Sequence, residues 1–161
     1  MIKDRSDFDL VLVGQVIADK SMPFLGVCAG CQALNIGAGG DLTQDIPSQK
    51  PQSRIMHASK EGWQKGFNTH TVTFAPGSQL AKILGSEPLA EPTSHHQCVD
   101  KLGAHLKIAA ISEDGLTEGI VIPDRPFVIG VQFHPERAFD KNEALFHQFI
   151  AQAATHRACR K

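Results

Sequence analysis

A cysteine lies between two glycines at the point where an apolar segment gives way to a helical pattern. The segment Pro23-Phe-Leu-Gly-Val-Cys-Ala-Gly30 has the G-x-C-x-G spacing of a nucleophile elbow, with Cys28 in the position usually held by serine. Gly26 and Gly30 are expected to leave room for a strained turn between strand and helix. Because the positive end of a helix favours thiolate, the spacing predicts that Cys28 is an activated nucleophile.

A second apolar segment further along the chain ends in a histidine. In Val131-Gln-Phe-His-Pro-Glu136 the imidazole of His134 follows a predicted strand, and the carboxylate of Glu136 comes two positions later. A thiol nucleophile needs a base, and the base needs a group that orients it. The two segments together predict acyl transfer by Cys28, His134 and Glu136.

Other chemistry is open to the same cysteines. Cys28 and Cys31 have the C-x-x-C spacing of a redox pair at a helix start, and a buried structural thiol is the ordinary role of a free cysteine. A zinc site is a further alternative, with ligands from Cys28, Cys31, His95, His96 and Cys98. The nucleophile is favoured over the redox pair because neither the glycines nor His-Pro-Glu has a role there. It is favoured over zinc because the ligand spacing of a structural zinc site is only half met and adjacent histidines usually point apart.

Alternating and helical apolar patterns predict the elements that position these residues. Ser6 and Asp9 form a capping box for a first helix that extends to Lys20, and the stretch 41–68 has no clear period. A polar loop is predicted after Leu84. The other predicted elements are a strand over Met22–Val27, a helix over Ala29–Ala38, a strand over Thr69–Ala75, a helix over Gln79–Leu84 begun by Ser78, a hairpin of Leu106–Ser112 and Leu116–Ile122, a strand over Pro126–Phe133 and a closing helix from Asp140.

Composition limits the partners. The 161 residues include 42% hydrophobic residues, 16 Lys and Arg, and 17 Asp and Glu, so one domain spanning 1–161 with a real core is expected. The balanced charge gives no reason to expect a nucleic acid or a membrane surface as partner. Without an apolar leader or spanning segment, we expect a cytoplasmic protein that acts on a small molecule.

Five ordered motifs carry a family resemblance. They are Leu25-Gly-Val-Cys-Ala-Gly-Cys-Gln-Ala-Leu-Asn35, Gly39-Gly-Asp-Leu-Thr-Gln-Asp-Ile46, His95-His-Gln97, Asp114-Gly-Leu-Thr-Glu118 and Gly130-Val-Gln-Phe-His-Pro-Glu136. In these motifs the chain resembles the class I glutamine amidotransferase superfamily. It is most similar to the γ-glutamyl hydrolase branch and, within that branch, to the γ-glutamyl-γ-aminobutyrate hydrolases.

The resemblance implies an α/β fold, a doubly wound, flavodoxin-like mixed sheet with flanking helices and a C-terminal hairpin. It implies a Cys28-His134-Glu136 triad, an oxyanion donor in the Ala29 backbone N–H, and a reaction that needs no metal or cofactor. It further implies a glutamyl pocket that includes Gln32, Thr93, His95 and His96. Glu118 matches a family glutamate, although an exposed strand carboxylate is an equal expectation. His57 and His70 are most simply expected at surface or helix positions, and His70 alone opens a predicted strand in the way a family histidine does.

The chain departs from the family pattern in three places. Pro92-Thr93 replaces the usual Asn-Ser, Ala29 replaces a common arginine, and the family's first strands, with the glycine loop of the oxyanion hole, precede the segment where this sequence begins. We therefore expect a bare strand edge, a homodimer or higher oligomer, and weak hydrolysis. Three functions remain open: a γ-glutamyl amide hydrolase, a glutaminase subunit that delivers ammonia to a partner synthase, and an inactive relative that acts as an interaction protein.

Overall fold

A mixed β-sheet organises the chain. The computed structural model describes residues 3–59 and 66–159, so part of the unpatterned stretch 41–68 lies outside the described residues. The main path of the sheet has the order β1-β8-β7-β6-β3-β4, and β5 pairs with both β2 and β7. The strands are β1 Phe24–Val27, β2 Leu42–Thr43, β3 Asn68–Phe74, β4 Leu89–Thr93, β5 Cys98–Val99, β6 Lys107–Ser112, β7 Thr117–Val121 and β8 Val128–Val131.

Helices cover both faces of this sheet. One apolar core includes Leu80 and Leu145 from two helices, and the other includes Val13 and Leu34 from two more. The helices are α1 Lys3–Ala18, α2 Ala29–Gly37, α3 Ile46–Gln49, α4 Gln79–Leu84 and α5 Phe139–Cys159, with a 3₁₀ turn over Pro135–Arg137. Two cores on opposite faces are the arrangement of the doubly wound α/β fold expected from the sequence.

The pairing of β1 with β8 brings the two predicted catalytic segments together at the carboxyl ends of these strands. These strands are parallel, with Val27 opposite Val131 in the register. Cys28 therefore follows the carboxyl end of one strand, and His134 comes three residues beyond the carboxyl end of its neighbour. The carboxyl ends of parallel strands are where ligands bind in open α/β sheets.

Most predicted elements are confirmed, including the β6–β7 hairpin and the Ser78 cap of α4, where the Ser78 side chain accepts from the Ala81 N–H. Two predictions were wrong. The helix α1 begins at Lys3, so Ser6 lies inside it and is not the cap. The segment after Leu84, predicted as a polar loop, contains the strands β4 and β5. Neither shows a strand pattern in the sequence, because both are short and β4 includes Pro92. β4 is the last strand of the main path, where proline is tolerated.

No helix in the part of the chain that the structure describes has the length and apolar character needed to cross a bilayer.

Candidate functional site

Cys28 occupies a strained turn between β1 and α2. Its φ is 50° and its ψ is −100°, a conformation that L-residues rarely adopt and that costs about 1–3 kcal/mol. The Cys28 backbone N–H donates to the Val131 carbonyl at 2.8 Å, which fixes the turn to β8. Strain of this kind persists only where the surrounding structure imposes it, and it is the geometry that a nucleophile elbow requires.

Of the two glycines, only Gly26 is required by space. A Cβ at Gly26 would lie 2.6 Å from both the carbonyl carbon and the oxygen of Gly30, whereas a Cβ at Gly30 would meet nothing within 4 Å. The elbow therefore depends on the close approach of β1 to the first turn of α2. The expectation that Gly30 also makes room for the turn is wrong for the described residues.

Burial works against the activated thiolate that the sequence predicts for Cys28. Burial raises the pKa of Cys28 to about 11, although hydrogen bonds from the Ala29 backbone and from Gln132 oppose this. The negative charges of Glu118 and Glu136 add to the rise. Attack by this sulfur would therefore need a base that removes the proton as the bond forms.

His134 and Glu136 lie beside one another at the end of β8. The Nδ1 atom of His134 is 2.7 Å from Oε1 of Glu136, and the His134 backbone N–H donates to the Pro92 carbonyl at 2.8 Å. The Phe67 ring packs edge-on against the imidazole, with ring centroids 4.8 Å apart. A carboxylate on Nδ1 fixes the tautomer that leaves Nε2 free to accept a proton.

Two glutamines link the Cys28 sulfur to the interior, and the sequence reasoning missed one of them. Gln132 donates from Nε2 to the Cys28 Sγ at 3.4 Å and accepts from Gln32 Nε2 at 3.2 Å. Gln32 also donates to the Gln97 carbonyl at 3.2 Å. Gln132 is fully buried although it is polar, and its position two residues before His134 was the signal that could have found it.

The residues predicted to line the glutamyl pocket differ in their exposure to solvent. Thr93 and His95 are buried, and the Thr93 hydroxyl donates to the His57 carbonyl at 3.2 Å. His96 is exposed and lines a cavity of about 310 Å³ together with His95 and His57. Cys28, His134 and Glu136 do not line this cavity.

The sequence did not predict a buried polar cluster. His57, His70, His95 and Glu118 face one another. Counted over the whole residue, backbone included, His57 and His70 are 3% and 4% exposed, so their predicted surface positions were wrong. Glu118 is also fully buried, which excludes an exposed strand carboxylate. Burial alone would raise the pKa of Glu118, but contacts with His70 and His95 outweigh burial and hold the pKa below its ordinary value.

The zinc and redox alternatives lose support. Within the described residues, only these four side chains form a group of three or more potential metal ligands, so the cysteines and His96 do not join His95 in the proposed zinc set. Cys28 and Cys31 are both free thiols, and Cys31 is completely buried. Burial raises the pKa of the Cys31 thiol well above its ordinary value, which is unsuited to thiol exchange.

The fold defines a class of protein. It matches the structure of a "putative GMP synthase" protein from Thermoplasma acidophilum with a TM-score of 0.65 and 21% sequence identity, over 94% of this chain and 67% of that chain. The mixed sheet with flanking helices is thus the flavodoxin-like fold of glutamine amidotransferases. The model of the Peptidase C26 family matches residues 1–136, and the chain belongs to that family, within the class I glutamine amidotransferase-like group.

Curated relatives agree with this assignment. A "putative glutamine amidotransferase" of Mycobacterium tuberculosis is 37% identical over 121 residues, which cover 75% of this chain and 37% of the relative. One of Schizosaccharomyces pombe is 35% identical over 159 residues, covering 97% of this chain and 59% of the relative. A CTP synthase of a Chelativorans species is 30% identical over an alignment of 181 positions, gaps included, which covers 93% of this chain and 33% of the synthase. The chain therefore spans between about a third and three fifths of the length of these relatives.

Proposed function

We propose that the chain is a cysteine hydrolase that cleaves the γ-glutamyl amide bond of glutamine or related compounds. The observation that carries the proposal is the strained conformation of Cys28 at the end of β1, beside the strand that leads to His134. Family membership supports amide hydrolysis as the reaction class. The γ-glutamyl specificity comes from the motif resemblance alone.

The proposed reaction begins with the neutral thiol. His134 Nε2 accepts the Cys28 proton while the sulfur attacks the γ-carbonyl, because the raised pKa of Cys28 leaves little thiolate before substrate binds. The carbonyl becomes a tetrahedral oxyanion, to which the Ala29 backbone N–H donates. The carboxylate of Glu136, 2.7 Å from Nδ1, holds and stabilises the imidazolium that forms.

Collapse of the intermediate completes the cycle. His134 gives its proton to the leaving amine, which departs and leaves a thioester on Cys28. Water then attacks the thioester with His134 again as base, releasing glutamate and restoring the thiol. Gln132, which donates to the Cys28 sulfur, is in position to hold that sulfur in one orientation during both steps.

A second candidate function is supported by the CTP synthase relatives. Their match covers a third of the synthase, which fits a glutaminase unit that works with a separate synthetic unit. In that case glutamine turnover would rise sharply when a partner synthase is bound. The third candidate, a weak or inactive relative that binds a partner, is supported by the high pKa of Cys28.

Steady-state kinetics on a panel of γ-glutamyl amides tests the proposal. Glutamine and several γ-glutamyl amines are compared with α-linked glutamyl amides of the same leaving amine. We expect hydrolysis of the γ-linked set only, lost in Cys28→Ala and retained in the control Cys159→Ala, whose thiol is exposed on α5. Equal cleavage of the α-linked set would contradict the γ-glutamyl assignment.

A further inference from the structure

The buried cluster of His57, His70, His95 and Glu118 is made from four separate segments of the chain. Each residue contributes one potential ligand atom, and these atoms all lie within 4.8 Å of one another. The four side chains are at most 2% exposed. The hydrolysis described above uses none of them as nucleophile, base or oxyanion donor, so their concentration in the interior needs another explanation.

The atoms that face the centre of the cluster have no hydrogen-bond partners. They are Nδ1 of His57, Nε2 of His70 and Nε2 of His95, which lie 3.6, 3.4 and 3.4 Å from Oε1 of Glu118. Both carboxylate oxygens of Glu118 are also without a hydrogen bond. Leaving a buried polar atom unpaired costs about 1–3 kcal/mol, more when it is charged, so five such atoms at one point indicate a missing partner.

The opposite ring nitrogens are each directed at an oxygen. Nε2 of His57 is 2.9 Å from Oδ2 of Asp114, and Nδ1 of His95 is 2.9 Å from the Gln97 carbonyl. Nδ1 of His70 is 3.4 Å from the Thr71 carbonyl. Because carbonyl and carboxylate oxygens only accept, these outer nitrogens carry a proton, and in the neutral imidazoles the three inner nitrogens then present lone pairs. Metal-binding histidines in proteins show this arrangement.

We propose that this cluster is a Zn²⁺ site with three imidazole ligands and one carboxylate. Four ligands with bonds of about 2.0–2.2 Å in a tetrahedron stand about 3.3–3.6 Å apart, which matches the three distances from Glu118. The full set lies within 4.8 Å, so the imidazoles would close on one another by up to about 1 Å around the ion. Imidazole nitrogen selects zinc over magnesium or calcium. The protein fills all four positions, as in structural zinc sites, so the ion would brace the segments around it and take no part in the hydrolysis.

The surroundings of the cluster suit a metal. A cavity of about 310 Å³ is lined by His57 and His95, two of the four ligand residues, so open space lies directly beside the cluster. This ligand set contains no cysteine, unlike the zinc set considered from the sequence. The competing explanation is a metal-free cluster in which one or two imidazoles carry an extra proton and pair with Glu118, and the experiment separates the two.

The full chain is stripped of metal with EDTA, Zn²⁺ is added back in excess, and unbound metal is removed by gel filtration. We expect one Zn²⁺ per chain to remain bound, and the thermal midpoint of the zinc-loaded chain to lie above that of the stripped chain. Co²⁺ in place of Zn²⁺ should show the visible bands of a tetrahedral site without a sulfur-to-cobalt charge-transfer band. A chain that retains only traces of zinc, with an unchanged midpoint, would overturn the proposal, as would a strong charge-transfer band, which would place the ion on the cysteines.

Variants then assign the ligands. Both variants keep the shape of the side chain. Glu118→Gln removes the carboxylate ligand, and Asp114→Asn removes the carboxylate that pairs with Nε2 of His57. We expect a loss of zinc affinity in both, 10- to 100-fold for Asp114→Asn, with no change in the exposed controls His147→Gln and Asp124→Asn. If Glu118→Gln does not fold, Asp114→Asn and the cobalt spectrum of the parent chain still decide the question. Unchanged affinity in Asp114→Asn, or equal loss in the controls, would contradict the site.

Discussion

At the scale of single residues, the protonation of Cys28 governs its reactivity. Burial raises the pKa of this thiol to about 11, and only thiolate reacts with iodoacetamide. At pH 7 the thiolate fraction should therefore be about 100-fold below that of an ordinary thiol. We expect the alkylation rate of Cys28 to rise about tenfold per pH unit from pH 7 to 10 and to level off near pH 11.

Peptide mapping of the alkylated protein measures this rate for each cysteine. The exposed Cys159 should be labelled before Cys28 at neutral pH, the reverse of what an activated thiolate would give. In urea all four thiols should react with the pH profile of an ordinary cysteine. A Cys28 rate that levels off near pH 8 or below in the folded protein would contradict the protonated resting state.

The roles proposed for His134 and Glu136 predict unequal losses of activity. His134→Ala removes the base that a thiol of high pKa needs, so turnover should fall to the level of Cys28→Ala. Glu136→Gln keeps the hydrogen bond to Nδ1 and loses the charge, so a residual rate should remain. The measurement is kcat/KM on the same γ-glutamyl amide, and a parent rate in His134→Ala would exclude it as the base.

Single residues also show what a sequence can predict of this site. Cys28 and His134 could be placed after the ends of two strands because each occurs in a short motif that marks a strand end, and their catalytic role with Glu136 stays a prediction. His57, His70 and Glu118 were misplaced because their burial depends on contacts between segments far apart in the chain. The pKa of Cys28 was misjudged for a similar reason, since burial by neighbouring segments outweighs the local effect of the helix end.

At the scale of elements, the elbow depends on how closely β1 approaches α2. Gly26→Ala would place a methyl group 2.6 Å from the Gly30 backbone, which cannot yield as a flexible side chain does. We expect a loss of about 1–3 kcal/mol in the free energy of unfolding. The matched control is Gly30→Ala, which meets no atom within 4 Å and gains up to about 1 kcal/mol of helix propensity in α2.

Urea denaturation of both variants checks the pair. Gly26→Ala should unfold at a lower urea concentration than the parent chain, and Gly30→Ala at the same concentration or a higher one. Equal destabilisation of the two variants would mean that the close approach of β1 to α2 does not determine the turn.

Elements with a clear period were predicted well, and short or edge elements were not. The β6–β7 hairpin and α4 follow patterns of residues that are local in the sequence. β5 has two residues and exists because it pairs with β2 and β7, partners that no local pattern reveals. The strand order likewise depends on long-range pairing, and the family resemblance implied only the doubly wound fold class.

At the scale of the whole molecule, β1 forms one edge of the described sheet. Within the described residues β1 pairs only with β8, and a groove beside it is lined by Arg5, Asp9 and Leu12 of α1. Phe8, one turn from Leu12, is 66% exposed. Unpaired edges and exposed apolar side chains favour association, so we expect a homodimer or higher oligomer in solution.

Light scattering at micromolar concentration tests the association. Phe8→Lys should shift the protein towards the monomer, because it replaces an exposed apolar side chain of α1 by a charge, one turn from Leu12 in the groove beside β1. Ile150→Lys, at a side chain of α5 that is 63% exposed, is the matched control and should leave the mass unchanged. A parent chain that is a stable monomer would refute the predicted oligomer.

Covalent trapping tests the proposed nucleophile most directly, because it needs Cys28 and its pocket but not a fast catalytic cycle. The chain is incubated with a glutamine analogue that carries a diazoketone in place of the γ-amide, and the labelled peptide is found by mass spectrometry. We expect one adduct per chain, on Cys28, that excess glutamine prevents and that His134→Ala slows. Labelling spread over Cys31, Cys98 and Cys159, or none at Cys28 while the protein is folded, would contradict the assignment of Cys28 as the nucleophile.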